Sequence, residues 1–222
     1  MKPSKPAKAQ PFRRDEPDLA CEPIPVSDGT ALLTETDLVL EDQLLQDFEA
    51  PGIHRATFRA TGSVLERVHL AESQFGSAAL KDARLTGCDL SNVLAHRMRL
   101  VRVELIDCRL TGFRATSLEA MDLLIQDGDA RYCQMRGATF KNCEFIRCKW
   151  QDADLNGADL SGCVFRACDL SQAELRGARL RDTDLRGSEV DGLVIEAGDL
   201  QGAIVDPAQA MVFARLLGLQ IR

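Results

Sequence analysis

Eight cysteines, three histidines and thirty-four Asp and Glu residues are the raw material for chemistry in this 222-residue chain. Cys143, Cys148, Cys163 and Cys168 recur at multiples of five, a set that invites a four-thiolate zinc site near one interior corner of the fold. Against that stands the habit of buried free cysteine, which behaves as a small hydrophobe and fills slots suited to Ala or Ser. Cys88, Cys108, Cys133, Cys143, Cys148, Cys163 and Cys168 all fall in one sequence column of small residues, with Cys21 alone outside it, so the thiols are read as core. His54, His69 and His96 share no metal-ligand spacing and no visible nucleophile partner, and are read as solvated surface residues. Carboxylates are abundant enough that a neighbouring pair follows from composition alone. No Gly-rich phosphate loop is present. No catalytic residue, metal ligand or cofactor site is therefore expected.

Composition narrows the classes further. A net charge of −7 disfavours direct nucleic-acid binding through phosphate contacts, which needs clustered Lys and Arg. No apolar run is long enough to span a bilayer, and the first twenty-five residues carry six prolines among charges instead of a secretory apolar segment. A cytoplasmic location with reduced thiols is expected.

What must position these side chains is a strict repeat of five. Every residue at a position divisible by five from Leu65 to Val205 is apolar, and a second column two residues earlier, from Ser63 to Ala203, is small or apolar throughout. All charges between residues 64 and 206 fall in the other three columns, a pattern that no helical period of 3.6 produces. Proline is absent from Gly52 to Asp206, as expected where each backbone N–H must donate to a neighbouring strand. Gly87, Gly137, Gly157 and Gly187 stand two residues after a central apolar position, where a left-handed corner would suit them. Volumes compensate: Phe113 and Leu118 in the small column accompany Ala115 and Ala120, and Trp150 follows Ala130 by one repeat of twenty. The stretch from Val93 to Met135 departs most from the pattern and is expected to bend or bulge the structure.

The run ADLNG ADLSG CVFRA CDLSQ AELRG ARLRD TDLRG from Ala153 to Gly187 resembles the pentapeptide-repeat family, whose consensus is A-(D/N)-L-x-x. The resemblance implies an all-β fold: a right-handed quadrilateral parallel β-helix, with one pentapeptide per side and four per turn. At a strand spacing of ~4.8 Å some seven coils make a rod of ~34 Å. Four segments are expected. Residues 1–36 form a disordered Pro- and charge-rich tail, and 37–62 an N-terminal cap or imperfect first coil with Leu38, Leu40, Leu44, Leu45 and Phe48. In that first coil Ala56 and Phe58 run two residues out of phase because of a small insertion. Residues 63–206 form the β-helix, and 207–222 a capping helix and tail. In the last segment Asp206 is the expected N-cap, Pro207 the first helical residue and Gly218 the stop, with Phe213, Leu216 and Leu217 as an apolar stripe.

Family members of the MfpA and Qnr group bind bacterial DNA gyrase, MfpA as a mimic of duplex DNA, and the tail from Asp206 through Gln209 to Gly218 is similar to that group's C-terminus. The resemblance thus implies a non-enzymatic scaffold whose most specific candidate partner is gyrase or a related topoisomerase, with quinolone protection as the outcome. The alternative is a structural or regulatory module for an unrelated protein. The side of Leu70, Leu90 and Leu110 is the most acidic, with Glu72, Asp89, Asp129, Asp152, Asp169, Glu189 and Asp191 against three basic residues. That is less than one net charge per coil, where DNA carries about three over the same rise, so strong DNA mimicry is not expected. Met211, Val212, Phe213, Leu216, Leu217, Leu219 and Ile221 supply more apolar surface than a lid can bury, which points to a homodimer joined through the tail.

Overall fold

A computed structural model of the chain describes residues 12–19, 22–26, 32, 36–216 and 218–220. It is a parallel β-solenoid in which, from residue 37 on, paired residues lie twenty apart. The register runs without a slip along Leu44↔Val64, Val64↔Arg84, Arg84↔Glu104, Glu104↔Leu124, Leu124↔Glu144 and Glu144↔Val164, and isolated bridges carry it to Asp184 and Ile204, whereas the first strand pairs nineteen ahead, Pro25↔Leu44.

Side-chain alternation explains the two inward columns. Within each side the central residue and the residue two before it point the same way, as strand geometry requires. From Leu65 to Val190 every central residue is buried, while Ile195, Leu200 and Val205 are half-buried against the core. Trp150 is 1 % exposed and meets Phe145 edge-on with ring centroids 5.2 Å apart, in a layer where Ala130 leaves room. Left-handed corner conformations are not confined to glycine: Gly157 has φ +70°, but Asp82 and Asp152 reach +51° and +56°. Asp and Asn tolerate this region because their short side chains bond to local backbone.

Three expectations are corrected by the coil. Residues 37–62 contain no insertion, since Leu38↔Phe58↔Ala78 and Leu40↔Ala60↔Leu80 keep the same register as the rest. The frame looked shifted because a long polar side chain, Arg55, occupies a central position and the bulky Phe58 occupies the small column. Nor does the Val93–Met135 stretch break the rod: Leu94↔Arg114↔Gln134 and Leu100↔Ala120 stay in step. Its irregular volumes leave instead a cavity of about 20 Å³ walled only by apolar groups, among them Leu90, Leu110, Phe113 and Met135.

The third correction concerns the N-terminal segment, which is not wholly a disordered tail. Ile24–Pro25 adds a strand beside Gln43 and Leu44, and residues 12–19 lie along the outside of the rod.

The C-terminal helix, Pro207–Leu216, closes the last coil. Asp206 Oδ1 accepts from the Ala208 and Gln209 amides at 2.9 and 3.0 Å, while Gln209 Oε1 accepts from the Asp206 amide at 3.0 Å, a reciprocal capping box. At the other end Gly218, with φ +81°, donates to the Arg215 carbonyl.

Candidate interaction surfaces on the coil

The interior thiols have structural partners. Cys143 and Cys163 open one side of two successive coils and Cys148 and Cys168 the next side, so they form two stacks and not one corner set. Each sulfur points at backbone: Cys148 Sγ donates to the Ile125 carbonyl at 3.1 Å and Cys168 Sγ to the Phe145 carbonyl at 3.3 Å. Ser188 and Thr183 use the same column in the same way, donating to the Phe165 and Leu160 carbonyls. Burial pushes the Cys133 thiol well above the ordinary value. Among the described residues no group of three or more His, Cys, Asp or Glu could hold a metal ion. Cys21 lies outside them.

The acidic side is built as its sequence spacing requires. Glu49, His69, Asp89, Arg109, Asp129, Lys149, Asp169 and Glu189 bridge one another in a single column, one per coil. Most of these charges are engaged locally. His69 lies 2.8 Å from Glu49 and 3.6 Å from Asp89, and Arg109 lies 3.2 Å from Asp89. Arg131 grips Asp129 with two bonds of 2.8 and 2.6 Å, and its guanidinium holds that carboxyl below the usual carboxylate range. Asp89, Asp129 and Asp169 each also accept from the backbone amide two residues on, which ties them to the corner. Glu72 and Asp152 sit at left-handed corners, exposed, as are Glu189 and Asp191. The side is therefore a ladder of alternating charge, not a uniform anionic stripe.

The cap divides the residues expected at a dimer contact. Phe213 is 5 % exposed and packs into the core, and Val212 lies half-buried against it. These two are corrected to lid residues: Gln209 and Phe213, one helical turn apart, form the face that meets the rod. Met211, Leu216 and Leu219 turn outward and are 47, 44 and 61 % exposed, with Ile204 of the last coil at 38 %. Leu217 and Ile221 lie outside the described residues.

One surface was not anticipated. Asp82, Glu104 and Asp122 are each only 6 % exposed although they belong to outward columns, because residues 12–19 cover them along one edge of the rod. Arg14 Nη2 donates to Glu104 Oε1 at 2.7 Å, and the Asp15 and Asp18 amides donate to Asp122 Oδ1 and Asp82 Oδ1 at 3.3 and 3.1 Å. Asn142 Nδ2 donates to the Arg13 carbonyl at 2.8 Å. The available sequence signal was weak: Leu124, an apolar residue in an outward column, is buried too.

A family model described as pentapeptide repeats matches residues 78–114 and 148–187, in eight copies. No curated protein matches the chain. Among solved structures, a trypsin-treated QnrB1, described as a plasmid-mediated fluoroquinolone resistance protein, has a TM-score of 0.60 at 21 % identity, covering 84 % of this chain and 98 % of that one. Full-length QnrB1 matches at 20 % identity over 82 % of this chain and 100 % of that one, with a TM-score of 0.41. HetL from the cyanobacterium Nostoc, involved in the regulation of heterocyst differentiation, matches at 19 % identity over 82 % and 94 %, with a TM-score of 0.27. The repeat visible in the sequence is the repeat that builds the coil, and over residues 78–114 and 148–187 it is the pentapeptide repeat of that family.

Proposed function

We propose that this protein is a non-enzymatic scaffold that binds a protein partner through the outside of its rod, and that DNA gyrase or a related topoisomerase is that partner. The observation that carries the reading is the match in fold to QnrB1, a fluoroquinolone resistance protein, along 98 % of that chain. It is supported by the cap, where Ile204, Met211, Leu216 and Leu219 leave an apolar patch at one end of the rod. Exposed patches of this kind mark association surfaces, and a two-fold contact between like ends would join two rods into one long two-fold particle. A partner that is itself two-fold, as gyrase is, would then meet matching symmetry.

The test is a gyrase supercoiling assay with and without the protein, in the absence and presence of a fluoroquinolone. Altered supercoiling, or restored supercoiling under the drug, is expected. No effect of a large molar excess in either condition would reject gyrase. A second reading, a binding module for an unrelated protein, is favoured by the local pairing of Asp89, Asp129 and Asp169, which leaves the acidic side unlike a DNA backbone.

A further inference from the structure

The edge covered by residues 12–19 has the features of a peptide-binding ledge. It presents three carboxylates, Asp82, Glu104 and Asp122, each 6 % exposed, and two paired arginines: Arg102, 2.6 Å from Asp82, and Arg84, 2.7 Å from Glu104, with the charge of Lys81 also acting on Asp82. Glu104 lies deep enough to take two cations, and Arg14 from the covering segment joins Arg84 on it at 2.7 Å, with the Arg14 and Glu104 side chains both under 10 % exposed, while Asp122 has no ion pair among the described residues. Buried charges need such partners. The remaining recognition is of main chain, through the Asp15 and Asp18 amides and the Arg13 carbonyl. These contacts run from the coil of Asn142 back to that of Asp82, three rises or ~14 Å, which five extended residues span comfortably.

The resident segment is a poor match in charge. Phe12–Leu19 brings two arginines but also Asp15, Glu16 and Asp18, and the two aspartates bonded through their amides stand beside Asp122 and Asp82. Arg102 feels both Asp15 and Asp122, yet it is already committed to Asp82. Like charges placed together lower affinity, so an extended segment with the arginine and without the acids fits the ledge better than its present occupant.

We propose that this ledge is a receptor for an extended, arginine-bearing segment of a partner protein, and that residues 12–19 fill it as an intramolecular stand-in which the partner displaces. The probes are two fluorescent peptides, one with the sequence of residues 12–19 and one in which serine replaces the residues matching Asp15 and Asp18. Both are titrated by anisotropy against the full chain, its Arg14→Glu variant and its Arg14→Lys variant. Trypsin cleavage after Arg13 reports whether the native segment is seated. Arg14→Glu is expected to speed that cleavage and to bind the serine peptide at least about tenfold more tightly than the unaltered chain does. The acidic peptide should bind more weakly than the serine peptide. The Arg14→Lys variant, which keeps a positive charge opposite Glu104, should again resist cleavage and exclude both peptides. Equal binding to the unaltered chain and Arg14→Glu, or none to Arg14→Glu, would overturn the proposal. A mass for Arg14→Glu twice that of the unaltered chain under the same conditions would overturn it too, by showing the segment exchanged between copies.

Discussion

The Gln209 side-chain nitrogen donates to the Leu185 carbonyl at 2.6 Å and to the Ser188 carbonyl at 2.7 Å, fastening the helix to the backbone of the last coils. The same side chain returns its oxygen to the Asp206 amide. Gln209 thus joins the helix start to the end of the sheet. A similar tail elsewhere would be explained by this capping demand without invoking a shared partner. Gln209→Ala leaves the Ser188 carbonyl without a donor, while the Leu185 carbonyl keeps the Ser188 amide at 3.1 Å, and is expected to cost about 1–3 kcal/mol, read from urea unfolding. A loss under about 0.5 kcal/mol would show that the cap does not depend on it.

Leu160 is 1 % exposed in the middle of the central column. Leu160→Asp puts a carboxylate there with no partner and is expected to remove at least about 4 kcal/mol or to prevent folding. Circular dichroism melting that matched the unaltered chain would contradict the inward column.

The seven described thiols are all buried and free of disulfides. Alkylation followed by peptide mass spectrometry should modify them slowly in the native chain and completely in denaturant, since burial blocks access and at Cys133 also disfavours the thiolate. Rapid native labelling at Cys133 or Cys163 would mean that the coil opens locally.

Acid should weaken the fold at the covered edge. The Arg102 guanidinium holds Asp82 below its ordinary value of 3.8, and at Glu104 burial pushes the pKa up but Arg84 and Arg14 outweigh it, leaving it below 4.5. Carboxyls depressed in the folded state bind protons more readily when unfolded, so their contribution is full above the ordinary values and fades as pH falls through the folded ones. Stability should therefore drop below about pH 4, and less in a Glu104→Gln variant than in the unaltered chain. Equal acid sensitivity in the two would place the effect elsewhere.

The repeat was legible because it is a burial pattern: Leu160 and Cys163 announce their columns by type alone. Arg55 and Phe58 hid the first coil, because a frame inferred from residue size fails where one central position is polar. The seating of Arg14 on Glu104 could not be read, since it joins residues ninety apart through polar groups common on any surface. The cap was half legible. Asp206 and Gly218 mark the ends of the helix, but an apolar-rich segment does not reveal which face turns inward, and Phe213 went in while Met211 and Leu216 stayed out.

The most direct test of the two-fold scaffold is light scattering of the intact protein at micromolar concentration, beside a variant with Met211→Glu and Leu216→Glu. Both substituted positions are exposed, so the variant should still fold. Twice the mass of one chain is expected for the intact protein and a single-chain mass for the variant. A monomer in the intact protein would contradict it and would remove the symmetry argument for gyrase.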